Sequence, residues 1–404
     1  YKYWVFTIKE KYKKDKGMQV ANRLQGIGEY YFSKKLAEIE QLRQSGKSII
    51  NLGIGSPDMP PHTSVVDELH KWSQEKNTHS YQGYKGHPIF RKSIAKFYKK
   101  FYQVELQPDQ EILPLIGSKE GIMHICMTYL NQGDGVLIPN PGYPTYASAV
   151  KLAGGTPIFY SLPYALEGAP DFNELEQLVE NNSSIKLLFI SYPHMPTGWK
   201  GSLALMSDWV SFAKKHQLLL VHDNPYSFIL NPEPISVLSV PGALDCALEL
   251  NSLSKSHNMA GWRIGMLCGK SDRIAEVLTF KSNMDSGMFL PAQMAAVKAL
   301  ELELDWYESI NQVYAARKSK AFQLLDTIGC EYHPQQVGMF VWAKVPEKYT
   351  DGYQLSDELL HKAGVFITPG GIFGTEGNHY VRISLCSSES VLQESISLIQ
   401  SVLQ

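Results

Sequence analysis

Between about residues 110 and 270, short runs of β-branched residues and leucine alternate with stretches whose apolar residues recur at helical spacing. That rhythm is the pattern of a sheet with crossover helices. Strands are predicted at 111–116, 136–139, 186–191, 218–222 and 247–250, and helices at 171–179 and 203–216, the first with Asp171 as its N-cap. From 305 to 327 one long helix is predicted; 331–345 then reads as a pair of strands around Gly338, followed by further helix and strand. The pattern has changed from crossover units to α+β, so 301–404 is expected to form a second, smaller domain. A helix at 33–44, which Gly46 would terminate, lies within an N-terminal arm, 18–60, that joins this smaller domain and leaves 61–300 as the large one. The expected fold class is α/β: a mixed, mostly parallel sheet flanked by helices, plus a smaller α+β domain.

Composition narrows the function classes. The 404 residues exceed what one hydrophobic core usually sustains. With 44% hydrophobic and 19% charged residues, the bulk of the chain is foldable rather than disordered. A formal charge of -2 gives no reason to expect nucleic acid or an acidic membrane as partner, which favours a small molecule. Cys126, Cys246, Cys268, Cys330 and Cys386 are scattered and never form Cys-x-x-Cys, so a reducing compartment, the cytoplasm, is expected without disulfides. No His-Glu-x-x-His and no paired His/Cys spacing recommends a metal. No apolar run approaches the roughly 18 residues of a membrane span. Residues 1–17 stand apart: six lysines against Glu10 and Asp15 give them +4. They read as a basic appendage, with a membrane or RNA role less favoured, and Met18 is the expected natural start.

Several motifs fail on inspection. Gly46-Lys47-Ser48 and Gly269-Lys270-Ser271 resemble the end of a phosphate-binding loop, but the glycine required five positions earlier is Gln41 in one and Ile264 in the other. Gly53-x-Gly55 lacks the third glycine of a dinucleotide fingerprint, and no Gly-x-Ser-x-Gly elbow occurs.

The informative segment is Asn251-Ser-Leu-Ser-Lys255-Ser-His-Asn-Met-Ala-Gly-Trp-Arg263-Ile-Gly265, which follows a predicted buried strand. Taken alone, Lys255 reads as a solvated loop residue. Its neighbours change that, because Ser252, Ser254 and Arg263 are suitable phosphate donors, the arginine bidentately. Asp223 ends the apolar run 218–221, which is a poor setting for a surface carboxylate.

Together these residues resemble the Ser-x-x-Lys…Arg-x-Gly signature of the class I/II aminotransferases, pyridoxal-phosphate enzymes of fold type I. Other blocks fall in that family's order. His222-Asp223-Asn-Pro-Tyr226 is similar to its Asp-x-x-Tyr block, Ser191-Tyr-Pro-His-Met-Pro196-Thr-Gly198 to its Asn-Pro-Thr-Gly block, and Asn140-Pro-Gly-Tyr143-Pro to its aromatic loop. Tyr81 followed by Gly86, Gly117-Ser118-Lys119, and Tyr380-Val-Arg382-Ile-Ser complete the set, which spans about Met18 to the C-terminus.

The resemblance implies an aminotransferase with pyridoxal 5'-phosphate (PLP) held as a Schiff base on Lys255, which would also shuttle the reaction's proton. It implies Asp223 against the ring nitrogen, Tyr226 donating to the phenolic oxygen and Tyr143 stacked on the ring; each tyrosine alone would read as a core aromatic. Gly117, Ser118, Lys119, Ser252, Ser254 and Arg263 would hold the phosphate, at the start of a helix after Lys119 where free N–H groups favour an anion. Tyr81 would reach the phosphate of the neighbouring subunit, implying a homodimer with shared sites. Arg382, otherwise readable as a strand-edge surface arginine, would grip the substrate α-carboxylate with help from the backbone at Gly55.

One departure stands out: Met195 occupies the position of a cofactor-binding asparagine and cannot donate a hydrogen bond. Either His194 substitutes or the contact is absent. A carbon–sulfur lyase of the same fold is the competing reading. A PLP-binding regulator is less favoured, since 1–17 is too short for a DNA-binding module. The segment Lys281-Ser-Asn283-Met-Asp285-Ser-Gly287 is similar to the diaminopimelate aminotransferase-like branch. It leaves the donor open between dicarboxylic, basic and neutral amino acids. Dicarboxylate-specific members of the family draw an arginine for the distal carboxylate from about this region of the partner subunit, and residues 274–300 contain none, so the resemblance implies that aspartate is a weak donor unless another arginine, such as Arg23, compensates.

Overall fold

The structure, a computed structural model, describes residues 18–24, 31–163 and 168–403; the basic segment 1–17 lies outside the described residues. The chain enters through α1 (Tyr31–Gln44), β1 (Ile50–Asn51), α2 (Thr63–Ser73) and α3 (Pro88–Tyr102). Then come β2 (Ile112–Leu115), α4 (Ser118–Tyr129), β3 (Gly135–Asn140), α5 (Pro144–Leu152) and β4 (Thr156–Ser161). The crossover rhythm continues with α6 (Phe172–Asn181), β5 (Ile185–Ile190), α7 (Leu203–Lys215), β6 (Leu219–Asp223) and β7 (Ala247–Ser252). After α8 (Leu253–Ser256) and β8 (Gly265–Gly269) the chain turns to helices α9 (Ser271–Lys281) and α10 (Leu290–Leu300).

Strands β2 to β8 form one seven-stranded sheet in the order β2-β8-β7-β6-β5-β3-β4. Its pairings are parallel except at β8, which runs antiparallel to both β2 and β7. Every residue of β6 and β7 is buried, as a strand covered on both faces requires. Period-two alternation sends neighbours to opposite faces. Leu220 joins Trp209, Met206 and Tyr98 on one side of the sheet. Val221 joins Ile122, Phe189 and Leu250 on the other. The edge strand β4 exposes Thr156 and Phe159, and that half-polar character hid it from a search for apolar runs.

The remainder is α11 (Leu304–Ile328), β9 (Glu331–Tyr332), β10 (Phe340–Lys344), α12 (Gly352–Glu358), β11 (Val365–Phe366), β12 (Thr368–Pro369), β13 (Tyr380–Ser384) and α13 (Glu389–Leu403). A four-stranded antiparallel sheet, β12-β13-β10-β9, packs with α11 and α13 around Trp342, Leu324 and Ile399. Strand β1 pairs in parallel with β11, far along the chain. The pair expected within 331–345 is β9 with β10, and Asp171 caps α6 by accepting from the N–H of Asn173. The helix expected after Lys119 begins earlier, at Ser118, because Gly117 makes the turn out of β2.

Candidate active site

The parallel strands all present their C-terminal ends along one edge of the sheet, where open α/β folds place their ligand crevice. That edge collects five predicted residues from four connections. Strand β2 leads through Gly117 into α4, β3 into the turn that carries Tyr143, and β6 ends on Asp223; β7 ends on Ser252 and passes directly into α8 with Lys255. Because β8 runs the other way, its start, not its end, lies here, and Arg263 just precedes it. The result is a cavity of about 460 Å³. Among the residues expected from the sequence, Gly55, Ser118, Lys119, Tyr143, Met195, Asp223, Tyr226, Ser252, Ser254, Lys255, Arg263 and Arg382 line it.

At one end the geometry suits an anion. Ser118 and Lys119 occupy the first turn of α4, whose leading N–H groups have no partners within the helix. Gly117 has φ +112, and a Cβ on it would lie 2.4 Å from Nη2 of Arg263, so only glycine lets the guanidinium lie across the turn. Arg263 itself holds the left-handed φ of +58, a conformation that costs energy for a residue with a side chain, and its Nη1 donates to the carbonyl of Ala260 at 2.8 Å.

Deeper in the cavity Asp223 is 4% exposed. Its Oδ2 accepts from the hydroxyl of Tyr146 at 2.9 Å, while Oδ1 is buried with no hydrogen-bond partner among the described residues. Burial pushes the carboxyl up to about 6, against the Tyr146 bond, the His222 charge and the Ser118 hydroxyl, which pull it down. Tyr146 escaped the sequence reading, since a tyrosine three residues beyond Tyr143 looks like any core aromatic. It is fixed by stacking on Phe189, ring centroids 5.0 Å apart at 13°, and by Tyr143, whose ring meets it edge-on.

Lys255 reaches across the cavity, its Nζ donating to the carbonyl of Gly55 at 2.5 Å. Burial lowers its pKa; Cys386 opposes the shift and the cations Arg382 and Arg263 add to it. A buried amine pushed toward its neutral form is a nucleophile and a base. Tyr226 stands edge-on to Phe340, centroids 5.8 Å apart, and burial raises its phenol pKa.

Arg382, on β13, is 5% exposed. Its guanidinium carbon lies 3.8 Å from the ring centroid of Phe340 and 4.6 Å from that of Phe373, so the plane is held between two aromatic faces. Nη2 donates to the carbonyl of Gly53 at 2.9 Å and Nη1 approaches Sδ of Met195 at 3.4 Å. Phe340 also explains Gly55, where a Cβ would sit 2.4 Å from that ring. Neither phenylalanine carries a sequence signal, because both lie far from the motifs and pack as core residues do.

Two expected residues are not brought into the cavity. Gly117 lies beneath Arg263 rather than on the wall, and Tyr81 is 91% exposed on the surface. His194 is absent from the wall as well: its Nδ1 lies 2.7 Å from Oγ1 of Thr197, and burial drives its pKa down to about 3, so it is a neutral imidazole turned away from the site.

The donor set fits pyridoxal 5'-phosphate on structural grounds. The unpartnered Asp223 Oδ1 needs a buried cationic donor such as a protonated pyridine nitrogen, and the α4 terminus with Arg263 needs a phosphate-like anion. Sheet, crevice and buried lysine together define a fold-type I PLP enzyme. The family model for aminotransferase class I and II matches residues 47–399, and the chain belongs to that family. It is a PLP-dependent transaminase. It is 38% identical to an LL-diaminopimelate aminotransferase of Dehalococcoides mccartyi over 94% of this chain and 98% of the relative. With one of Moorella thermoacetica it shares 38% over 96% and 99%. Substrate-bound BacF from Bacillus subtilis superposes with a TM-score of 0.90 at 32% identity, covering 95% of this chain and 98% of that one. These names favour amino-group transfer over the lyase reading.

Because the Asp223 carboxyl is raised to about 6, it becomes neutral as pH falls through that value and ceases to attract a cationic ring nitrogen. Cofactor affinity, followed by absorbance at fixed protein concentration, is therefore expected to weaken about tenfold per pH unit below about 6. Asp223→Asn is expected to bind the cofactor roughly tenfold to a hundredfold more weakly at pH 8 and to lack this acid-side dependence.

Proposed function

We propose that Lys255 is the catalytic base and covalent anchor of the cofactor, and that the amino donor is a long-chain α-amino acid of the diaminopimelate type with a 2-oxo acid as acceptor. The observation that carries the first part is the half-buried Lys255, whose amine lies in one cavity with Asp223 and Arg382 and is pushed toward its neutral form. When bound, PLP supplies an electron sink for the electrons released at the donor's α-carbon. Asp223 keeps the ring nitrogen protonated, Tyr226 donates to the phenolic oxygen, and Tyr143 covers the ring face. Ser118, Lys119, Ser252, Ser254 and Arg263 would hold the phosphate, with Gly117 giving the bare turn across which Arg263 lies. Arg382, preset by Phe340 and Phe373, takes the α-carboxylate in a two-pronged contact, with the Gly55 backbone beside it. Lys255 Nζ, in the same cavity as Arg382, would accept the proton from the α-carbon. Met195 brings sulfur, not a donor, so Tyr226 serves the phenolic oxygen alone.

The donor reading draws on the names of the relatives, 38% identical over nearly the whole chain, and on the outer wall. Leu36, Ile54, Phe340 and Phe373 offer an apolar lining that suits a methylene stem. A second reading, a donor with a wholly apolar side chain, is favoured by the same cavity, since Asp223 is the one carboxylate among its described lining residues.

A homodimer with shared sites is proposed because Tyr81 is 91% exposed and its segment, with Gly287 against the carbonyls of Gln82 and Gly83 and Phe289 against His79, carries the further exposed apolar residues Tyr84 and Phe289; Tyr81 would then serve the partner's phosphate. Among the described residues no helix is long and apolar enough to cross a membrane, and five unpaired cysteines support a reducing cytoplasm. The division into 61–300 and 18–60 with 301–404 is supported by two apolar clusters that follow these bounds for most of their residues, while Tyr307 packs with the first and Met195 and Ile229 with the second.

Lys255→Ala is expected to lower transamination by about a thousandfold or more while thermal unfolding stays near that of the native protein. Borohydride reduction of the loaded native protein, then peptide mapping, is expected to leave the cofactor's mass on Lys255; its appearance on another lysine would overturn the assignment. Arg382→Lys loses the fork and is expected to reduce kcat/KM by roughly two orders of magnitude with cofactor affinity retained. In a donor panel with 2-oxoglutarate, LL-diaminopimelate is expected to give the highest kcat/KM and aspartate one well below it. A preference for phenylalanine or leucine would select the second reading, and a preference for aspartate would refute both.

A further inference from the structure

The transfer chemistry uses one face of β6, yet the other face holds a fully buried histidine–glutamate pair. His222 and Glu249 are both 0% exposed and sit opposite each other across the β6–β7 ladder. Nδ1 of His222 lies 2.9 Å from Oε2 of Glu249, and Nε2 lies 3.0 Å from the carbonyl oxygen of Tyr192. A carbonyl only accepts, so Nε2 carries a hydrogen. On the other side, Glu249 Oε2 accepts from the Ser236 hydroxyl at 2.7 Å and from the Val237 N–H at 3.0 Å, while Oε1 accepts from the Tyr98 hydroxyl at 2.9 Å. With His222 that makes four donors converging on one carboxyl, the capacity of an ionised carboxylate. If the proton sat on Oε2 instead, the oxygen with the most donors would be the weaker acceptor.

We propose that His222 and Glu249 form a buried ion pair, His222 protonated on both ring nitrogens, and that this imidazolium is a positioning charge which, through the backbone of β6, keeps the adjacent Asp223 ionised. The proposal rests on the reading of Asp223 as partner of the cofactor's ring nitrogen. Buried ion pairs contribute little to stability compared with apolar packing, so a pair at this place calls for another use. Asp223 needs one: burial alone drives its carboxyl toward the neutral form, and the His222 charge is among the influences that oppose it. Consecutive strand residues point to opposite faces, so the cation supports Asp223 without blocking the cavity.

Other titratable groups face the pair and Asp223. Around the pair stand Tyr98 and Tyr102 from α3 and Cys268 from β8, their pKa values all raised, first by burial, which leaves them neutral. Around Asp223 stand Tyr146, Tyr143 and Tyr226, also raised by burial, with Lys255 in the same cavity.

The test has two arms on the full chain. Nitrogen-15 NMR of histidine-labelled protein, with His222 assigned by loss of its signals in His222→Gln, is expected to show both ring nitrogens protonated at pH 7; one protonated nitrogen there overturns the pair. In the second arm, cofactor affinity is titrated against pH in native protein and in His222→Gln/Glu249→Gln, which keeps polar side chains without charge. The acid-side loss of affinity is expected to begin about one pH unit higher in the double variant, a deficit of about fivefold near pH 6 that approaches about tenfold near pH 5 and vanishes by about pH 8.5. A folded double variant with the native profile overturns the coupling. Retention of the acid-side dependence in Asp223→Asn would overturn the reading of Asp223 itself, whereas its loss together with an unmoved double variant would remove only the role of the pair.

Discussion

A carboxylate buried without a full set of partners is the constraint around which this site is arranged. Asp223 accepts one hydrogen bond on Oδ2 and none on Oδ1 from the described residues, in a setting that favours its neutral form. A charge there is tolerable only with a cationic group opposite it. That requirement makes the end of β6 more than a packing position and suits the proposed seat of a protonated ring nitrogen, with Tyr146 and His222 at its back.

The other polar ends of the cavity follow from backbone geometry rather than from charge alone. Gly117 lets β2 turn directly into α4, so the helix terminus and Arg263 meet with no side chain between them. Arg263 tolerates a left-handed conformation to get there, an observed strain at a functional position. Arg382 is held differently, between two phenylalanine rings and the carbonyl of Gly53. Its fork is thus set before any ligand arrives, which lowers the ordering cost of binding.

A seven-stranded sheet buried on both faces allows a second electrostatic layer. His222 and Glu249 lie among apolar side chains on the face away from the cavity, with every polar atom engaged. In a region that water does not enter, charges on opposite sides of one strand still act on each other. The alternation that separates Leu220 from Val221 into two cores also separates the support from the reacting groups.

The sequence by itself determined the elements whose signal is local and the residues whose chemistry is unusual for their setting. The apolar runs of β5, β6 and β7, the long α11 and the Asp171 cap were legible because burial on both faces and helical spacing are written in neighbouring residues. Asp223 stood out because it ends an apolar run, and Lys255 only through Ser252, Ser254 and Arg263 beside it and the family resemblance they carry; both line the cavity. Only the tertiary structure decided what depends on partners distant in the chain. It placed β8 antiparallel between β2 and β7, brought Phe340 and Phe373 to either side of Arg382, set Tyr146 on Asp223, gave Met195 to the arginine and turned His194 toward Thr197. Hydrophobic periodicity says that a residue is buried, not against what, and the contacts that tune this site are chosen by packing across the sheet.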